Sequence, residues 1–308
     1  MTRMFLTVAI CTFNRAKELS RAVESVLQQD FPKDSYEILI VDNHSTDQTA
    51  ELGQGLEGAH RGLVRYFYQP VPGLSVSRNA AAQNAKGDIV IYLDDDAVPH
   101  PEWLLTYQNI FSAHPNCFGA GGSIRLIWEN ERPLWLRNED EALYTAYDLG
   151  RIERRMSPPE FPRGANMAWR KNILLKLGGF HPDTGYDASK NALVSNEEKY
   201  MAYLVYNRGG EIWFAPSATV DHRIDQTRAT PSYFLRRVYF QGVADARFSK
   251  FIFRRTAPWK ILRRMIHKMA FWRATAMLRW IPESEEHPEY VLYRAKEEYN
   301  RGYLSELN

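Results

Sequence analysis

"IVIYLDDDAVPHPEWL", residues 89–104, places three aspartates, Asp94 to Asp96, directly after an apolar run and ahead of a helix-like segment. Ile89 to Leu93 is continuous, β-branched and aromatic, the composition of a strand covered on both faces, as in a parallel sheet flanked by helices. In open sheets of that kind, ligands bind beyond the carboxyl ends of the strands. The three carboxylates therefore fall where a ligand would sit. One of them can cap the helix expected to start near Pro101, but capping does not need three. Crowded carboxylates repel unless a cation or a hydrogen-bonding ligand intervenes, and an oxygen-rich set suits Mg²⁺ or Mn²⁺ held together with phosphates.

Upstream of this stretch, strand-like and helix-like segments alternate: "FLTVAI", a helix from about Lys17 to Gln29, "YEILIV", a helix from about Asp47, "LVRYFY", a helix from about Ser75 to Ala85, then "DIVIYL". Alternation of this kind implies right-handed crossovers and a mostly parallel sheet, so the expected fold class is α/β. After Trp103 the rhythm breaks. Residues 128–161 mix aromatics, charges and prolines without a period and read as a long surface excursion, such as a substrate loop. A second patterned block runs from Gly164 to about His222. From Thr230 to Trp280 the pattern is helical, amphipathic and basic, followed by an acidic helix-like tail over about 284–305. The expected division is a catalytic domain over 1–225 and a helical extension over 226–308.

The chain has 308 residues and a net charge of +2, enough material for one large core with an appendage. Its two cysteines, Cys11 and Cys117, make no disulfide framework and read as reduced and buried. The N-terminal "MTRMFLTVAICTFNR" suits a first strand better than a signal peptide. No run approaches the roughly 20 apolar residues of a membrane span, and the uncharged stretch 103–124 is interrupted by Gln, Asn, His and Pro. The small net charge conceals an asymmetry. Between Arg228 and Trp280 there are thirteen Lys or Arg residues and a single acid, Asp245.

Four stretches occur in order: "VAICTFNRAKELSRAVESVLQQ", "EILIVDNHSTDQTAEL", "GLSVSRNAAAQNAKGDIVIYLDDDAVPHPEWL" and "RGANMAWRKNILLKLGGF". Together they resemble the family-two glycosyltransferases, inverting sugar transferases of the GT-A fold, over roughly residues 5–225. The resemblance implies that Thr12, Phe13, Asn14 and Arg15, with Asp42 at the end of the second strand, cradle a nucleotide base and ribose. Asp42 can accept the N–H of a uracil or guanine, or simply form an Asx turn in "DNHSTD". Arg78 matches an arginine that faces the base or phosphates. "DDD" matches the family's Asp-x-Asp: Asp94 touches the ribose or a metal-bound water, Asp95 assists beside it, and Asp96 binds the divalent cation, Mn²⁺ or Mg²⁺, that bridges the diphosphate. His222 in "VDHRI" matches a position where a histidine approaches that metal. Gly164 and Ala165 would let a sugar ring come close, and Asn166 would bond its hydroxyls.

The acidic motif departs from the family pattern. Where Gly-Glu-Asp, a variable residue, an acid and Leu are usual, "SNEEKYMAYL" has Asn196 for Gly, Glu198 for Asp and Tyr200 for the later acid. Glu198 is the expected general base, with Glu197 the alternative. Against this, Ser195 and Glu198 also have the spacing of a helix capping box.

The function expected from the resemblance is transfer of a sugar from a nucleoside-diphosphate sugar, UDP favoured, to a hydroxyl of a glycan or lipid-linked acceptor in polysaccharide or glycolipid synthesis. A nucleotidyltransferase is the alternative enzyme, though "ICTFNRAKEL" lacks the glycine-rich loop such enzymes usually carry. A non-catalytic glycan- or nucleotide-binding protein would account for the weakened acidic motif. The basic amphipathic segment 228–280 suits attachment to an anionic membrane surface, hence a peripheral, cytoplasmic location at the inner face of a membrane. Nothing resembles a nucleic-acid module, and no such partner is expected.

Overall fold

In the computed structural model the described residues are 4–185, 192–252, 257–284 and 287–307. The elements run β1 (Leu6–Thr12), α1 (Ala16–Leu27), β2 (Tyr36–Asp42), α2 (Thr49–Ala59), β3 (Val64–Tyr68), α3 (Leu74–Asn84), β4 (Ile89–Asp94), β5 (Ala97–Pro99), α4 (Trp103–Ala113), β6 (Cys117–Trp128), β7 (Arg154–Arg155), β8 (Asn166–Arg170), α5 (Lys171–Lys176), α6 (Glu197–Tyr206), β9 (Glu211–Ile224), α7 (Pro231–Ile252), α8 (Ala257–Leu278) and α9 (Pro288–Ser305). The strands form one sheet in the order β3-β2-β1-β4-β8-β6-β9-β5, with β7 on β9. The β1–β2, β1–β4 and β2–β3 pairs are parallel. The β4–β8, β6–β8 and β5–β9 pairs are antiparallel. The break in rhythm after Trp103 is thus the change from crossover-connected parallel strands to an antiparallel half.

Strands β1, β2 and β4 are buried along almost their whole length, because helices cover both faces and leave no side for polar alternation. One apolar layer gathers Leu6, Val8, Ile10, Ile38, Ile40, Ile89 and Ile91 with Leu19, Val23 and Val26 of α1. The opposite faces of the same strands, through Ala9, Leu39, Val41, Val90 and Tyr92, pack with Ala81 and Ala82 of α3 and Met201 and Val205 of α6. The period-2 alternation of each strand therefore feeds two cores rather than a core and a solvated face.

The chain divides into two compact units. The first comprises Met1–Ile127, Thr145–Asp183 and Glu197–Arg223, and it holds the sheet. The second comprises Trp128–Tyr144, Thr184–Asn196 and Ile224–Asn308. It therefore contains the residues expected to form the helical extension, and also two earlier segments. Within it, Trp135, Leu136 and Tyr144 are buried, and Trp135 packs on Phe234 with ring centroids 5.3 Å apart. The first half of the expected surface excursion is anchored by its aromatics, which a purely polar loop would lack. Helices α7 and α9 approach closely at two glycines: a Cβ on Gly242 would lie 2.1 Å from the Tyr299 carbonyl, and one on Gly302 would lie 2.0 Å from that of Tyr239. Both cysteines are free; Cys117 is buried and Cys11 only half-buried.

Candidate active site

Register assembles the site. Thr12 pairs with Asp42 and Cys11 with Asp94, so β1, β2 and β4 end level and deliver their last polar residues to one edge of the sheet. Antiparallel pairing of β5 with β9 sets Ala97 opposite His222, and the Arg223 N–H donates to the Asp96 carbonyl at 2.9 Å. A histidine more than a hundred residues downstream in sequence is thereby brought to the three aspartates.

One ligand atom from each of Asp94, Asp96 and His222 lies within 4.8 Å of the others. His222 Nε2 is 2.9 Å from Asp96 Oδ1, with both side chains nearly buried. Arg15 Nη1 donates to Asp96 Oδ2 at 2.8 Å and lies 3.8 Å from Asp95 Oδ1. Asp95 turns the other way and accepts the Thr12 hydroxyl at 2.7 Å. Burial pushes the Asp95 carboxyl up to about 7; Arg15 and the Thr12 bond lower it, and the Asp96 and Asp94 charges raise it further. The middle aspartate is tied to the β1 loop through Thr12, and of the three only Asp94, at 32 %, is appreciably exposed, against 11 % for Asp95 and 9 % for Asp96. None of the three caps α4, which begins after Glu102 with no side-chain cap bond.

Arg78 supplies the second countercharge. Its side chain is 3 % exposed, with Nη2 at 3.2 Å from Asp94 and Nη1 at 2.6 Å from Glu197, itself 4 % exposed. Glu198 is half-buried and its Oε1 accepts the Gly164 N–H at 2.8 Å. The Ser195 hydroxyl donates to Gln241 at 3.0 Å.

Packing gives the three residues expected beside the sugar structural partners of their own. A Cβ on Gly164 would lie 2.4 Å from Arg78 Nη2 and 2.9 Å from Glu198 Oε1, so the missing side chain makes room for the Arg78 guanidinium. Ala165 is wholly buried in the core. Asn166 is also fully buried and saturated: its Oδ1 accepts from Trp103 Nε1 at 2.8 Å and Tyr107 at 2.7 Å, and its Nδ2 donates to the carbonyls of Ser123 at 3.0 Å and Ala218 at 2.6 Å. An amide has four hydrogen-bonding places, and none is left for a sugar hydroxyl.

The loop residues after β1 fall into two groups. Thr12 and Arg15 reach the aspartates. Asn14 adopts a left-handed φ of 52° and accepts the N–H groups of Thr46 at 2.7 Å and Asp47 at 3.3 Å, clasping the β1 and β2 loops together. Phe13 is half-buried at the same loop. Asp42 accepts the N–H of Ser45, three residues on rather than the two of an Asx turn, at 2.9 Å, and takes the Tyr66 hydroxyl at 2.7 Å on its other oxygen. Each oxygen has a second lone pair, so Asp42 retains acceptor capacity.

Sequence reasoning missed Tyr66, Trp103 and Tyr107, whose partners lie tens of residues away. It also missed a polar network in the second unit. Asn196, at a left-handed φ of 79°, donates to Asp245 at 3.0 Å; Gln241 donates to Asn196 at 3.3 Å and to Asp245 at 3.2 Å, and Tyr299 donates to Asp245 at 3.1 Å. The one signal was compositional, since Asp245 is the lone acid of the basic segment.

Residues 7–172 match the family described as Glycosyl transferase family 2. The chain belongs to that family. Among similar proteins is the glucosyl-dolichyl phosphate glucuronosyltransferase of Haloferax volcanii, 26 % identical over 242 residues, covering 78 % of this chain and 75 % of the relative. Another is glycosyltransferase AglE of the same organism, 33 % identical over 214 residues, covering 70 % of this chain and 65 % of that one. The fold is GT-A. It matches the mannosyltransferase PcManGT of Pyrobaculum calidifontis, solved with GDP-Man and Mn²⁺, with a TM-score of 0.57 at 21 % identity, covering 80 % of this chain and 65 % of that one. It matches GalNAc-T7, solved with UDP, GalNAc and Mn²⁺, with a TM-score of 0.58 at 20 % identity, covering 80 % and 51 %. A member of this family is a transferase of glycosyl groups. No helix among the described residues is long and apolar enough to cross a membrane.

Proposed function

We propose that this chain transfers a sugar from a nucleoside-diphosphate sugar, UDP favoured, to a hydroxyl of a lipid-linked or polysaccharide acceptor, by one in-line displacement with inversion, while peripheral at the inner face of a membrane. The observation that carries this reading is the Asp94–Asp96–His222 cluster at the carboxyl ends of the parallel strands, flanked by Arg15 and Arg78. Two carboxylates and an imidazole within 4.8 Å form a donor set that suits Mn²⁺ or Mg²⁺. When bound, such a cation neutralises charge on the diphosphate as the glycosidic bond breaks. The names of both Haloferax relatives and the Mn²⁺-bound neighbours support the reading.

The chain's own residues divide the work. Thr12, Phe13, Asn14, Arg15 and Asp42 form the cradle for base and ribose, with Asp42 offering its spare lone pairs. Arg78 fixes Asp94. The acceptor oxygen attacks the anomeric carbon as the bond to the diphosphate oxygen breaks, and its proton passes to a carboxylate. Glu198 is the better base of the two candidates, because Glu197 is locked to a buried guanidinium and can neither reorient nor take a proton without breaking that pair.

A thermal-shift screen of UDP, GDP and dTDP with and without Mn²⁺ tests the donor half of this proposal. A ligand that binds only the folded state at about a hundredfold its Kd adds about 2.7 kcal/mol, so one nucleotide should raise Tm in the presence of Mn²⁺ and lose that effect with EDTA. Absence of a shift with all three nucleotides would sink the donor assignment.

A further inference from the structure

Helix α8 packs on α9 through one face and exposes an apolar stripe on the other. The packed face carries His267 and Ala274, both buried, with Thr275 donating to Glu297 of α9 at 2.7 Å and the His267 ring stacked on Tyr303 with centroids 3.6 Å apart. Half a turn round the helix, Leu262, Met265, Met269 and Trp272 recur at intervals of three and four residues, the spacing of one stripe. They are 58, 56, 63 and 67 % exposed, and Trp280 just beyond the helix is 85 % exposed. Leu262, Met265, Met269 and Trp272 are thus not on the packing face of α8. A stripe of that size left to water marks an interaction surface.

The charges beside the stripe identify its occupant. Lys268 and Arg264 lie on one flank and Arg273 on the other, and α8 contains no acid at all. A second copy laid against this face would bring cationic flanks together with no carboxylate to pair them, and like-charge juxtaposition of that kind opposes association. An anionic bilayer meets every feature: apolar side chains enter the acyl boundary, tryptophans sit at headgroup depth, and flanking cations meet lipid phosphates. We infer that the outward face of α8, centred on Met265, Met269 and Trp272, lies in the interface of an anionic lipid surface. Its purpose rests on the lipid-side reading of the acceptor given above, although its test does not.

The test is co-sedimentation of the full chain, without nucleotide, with vesicles of phosphatidylcholine alone or mixed with phosphatidylglycerol. Binding to the mixed vesicles at low salt, about tenfold weaker in molar salt where the screening length falls to about 3 Å, is the expected result. Met269→Asp combined with Trp272→Asp should abolish binding without lowering Tm, because both side chains already stand in water. Arg264→Glu with Lys268→Glu should remove the preference for the anionic vesicles. The inference is overturned if the wild type stays in the supernatant or binds both vesicle types equally. It is also overturned if sedimentation velocity reveals a dimer that the Met269 and Trp272 substitutions dissociate, which would assign the face to a second copy. Vesicle binding without any nucleotide-induced thermal shift would leave this inference standing while the nucleotide-donor assignment failed.

Discussion

At the scale of single residues, the two adjacent glutamates differ by environment rather than by chemistry. Glu197 forms a direct ion pair with the buried Arg78, whereas Glu198 is half-buried, accepts the Gly164 N–H and acts on Arg78 only through its charge. Removing one partner of a buried ion pair leaves an uncompensated charge and typically costs about 3–5 kcal/mol. Glu197→Gln is therefore expected to lower Tm markedly, read by circular dichroism melting. Glu198→Gln should leave Tm and nucleotide affinity near wild type while sugar transfer falls by about 10²–10⁴-fold, the range of general-base loss. The reverse pattern, a stable but inactive Glu197 variant beside an active Glu198 variant, would exchange their roles. The family pattern ranked Glu198 ahead of Glu197 by position, but their different environments were not legible, because the discriminating partner is Arg78, more than a hundred residues upstream.

At the scale of elements, pattern and structure agree wherever burial dictates period. The helix expected over about Ser75 to Ala85 is observed over Leu74–Asn84, and the apolar runs before it and after it became parallel strands. Pattern was least informative where local signals had more than one use. Gly164 read as room for a ligand, yet the room is taken by Arg78. Asn166 was expected as a sugar contact from the family resemblance of "RGANMAW", while its amide ties α4, β6 and β9 together. The Asp245 network carries the same lesson forward. It holds the left-handed Asn196 immediately before α6 begins, so Asp245→Ala should lower kcat about tenfold or more, a rise of roughly 1.4 kcal/mol in the barrier, with nucleotide Kd unchanged. Asp245→Asn should restore part of it; equal losses in both variants, or a loss of nucleotide binding, would point to general destabilisation instead.

The seam between α8 and α9 carries a pH dependence with a definite sign. Burial holds His267 below the ordinary imidazole value of 6.5, and the neighbouring Arg263 lowers it further, against the Asn300 bond and Asp245, which raise it. The unfolded chain then binds this proton more readily than the folded one, so the contribution is fully present above pH 6.5 and is lost as pH falls through the lowered folded value. Wild-type Tm should drop more steeply on mild acidification than that of His267→Gln, measured by melting curves across that range. Parallel curves would remove His267 as the cause.

At the scale of the whole molecule, the first unit was legible because a parallel sheet writes itself into sequence as apolar runs ending in polar residues. The carboxylates of "DDD" could be placed at a sheet edge from that rule alone. The second unit was less so. Its helices were visible, but Trp135 and Tyr144 belong to it through contacts between distant segments, which no periodicity encodes. The orientation of α8 was equally hidden: amphipathicity shows that a helix has two faces and leaves open which one packs.

The central claim is metal-assisted transfer from a nucleoside-diphosphate sugar through Asp94, Asp96 and His222. Its most direct measurement is the nucleotide product released when the protein is incubated with nucleotide sugars, Mn²⁺ and a lipid extract as acceptor source. The account predicts release of nucleoside diphosphate, abolished by EDTA and by Asp96→Asn in a variant whose Tm is retained. Release of pyrophosphate, or undiminished diphosphate release from Asp96→Asn in the presence of EDTA, would contradict it.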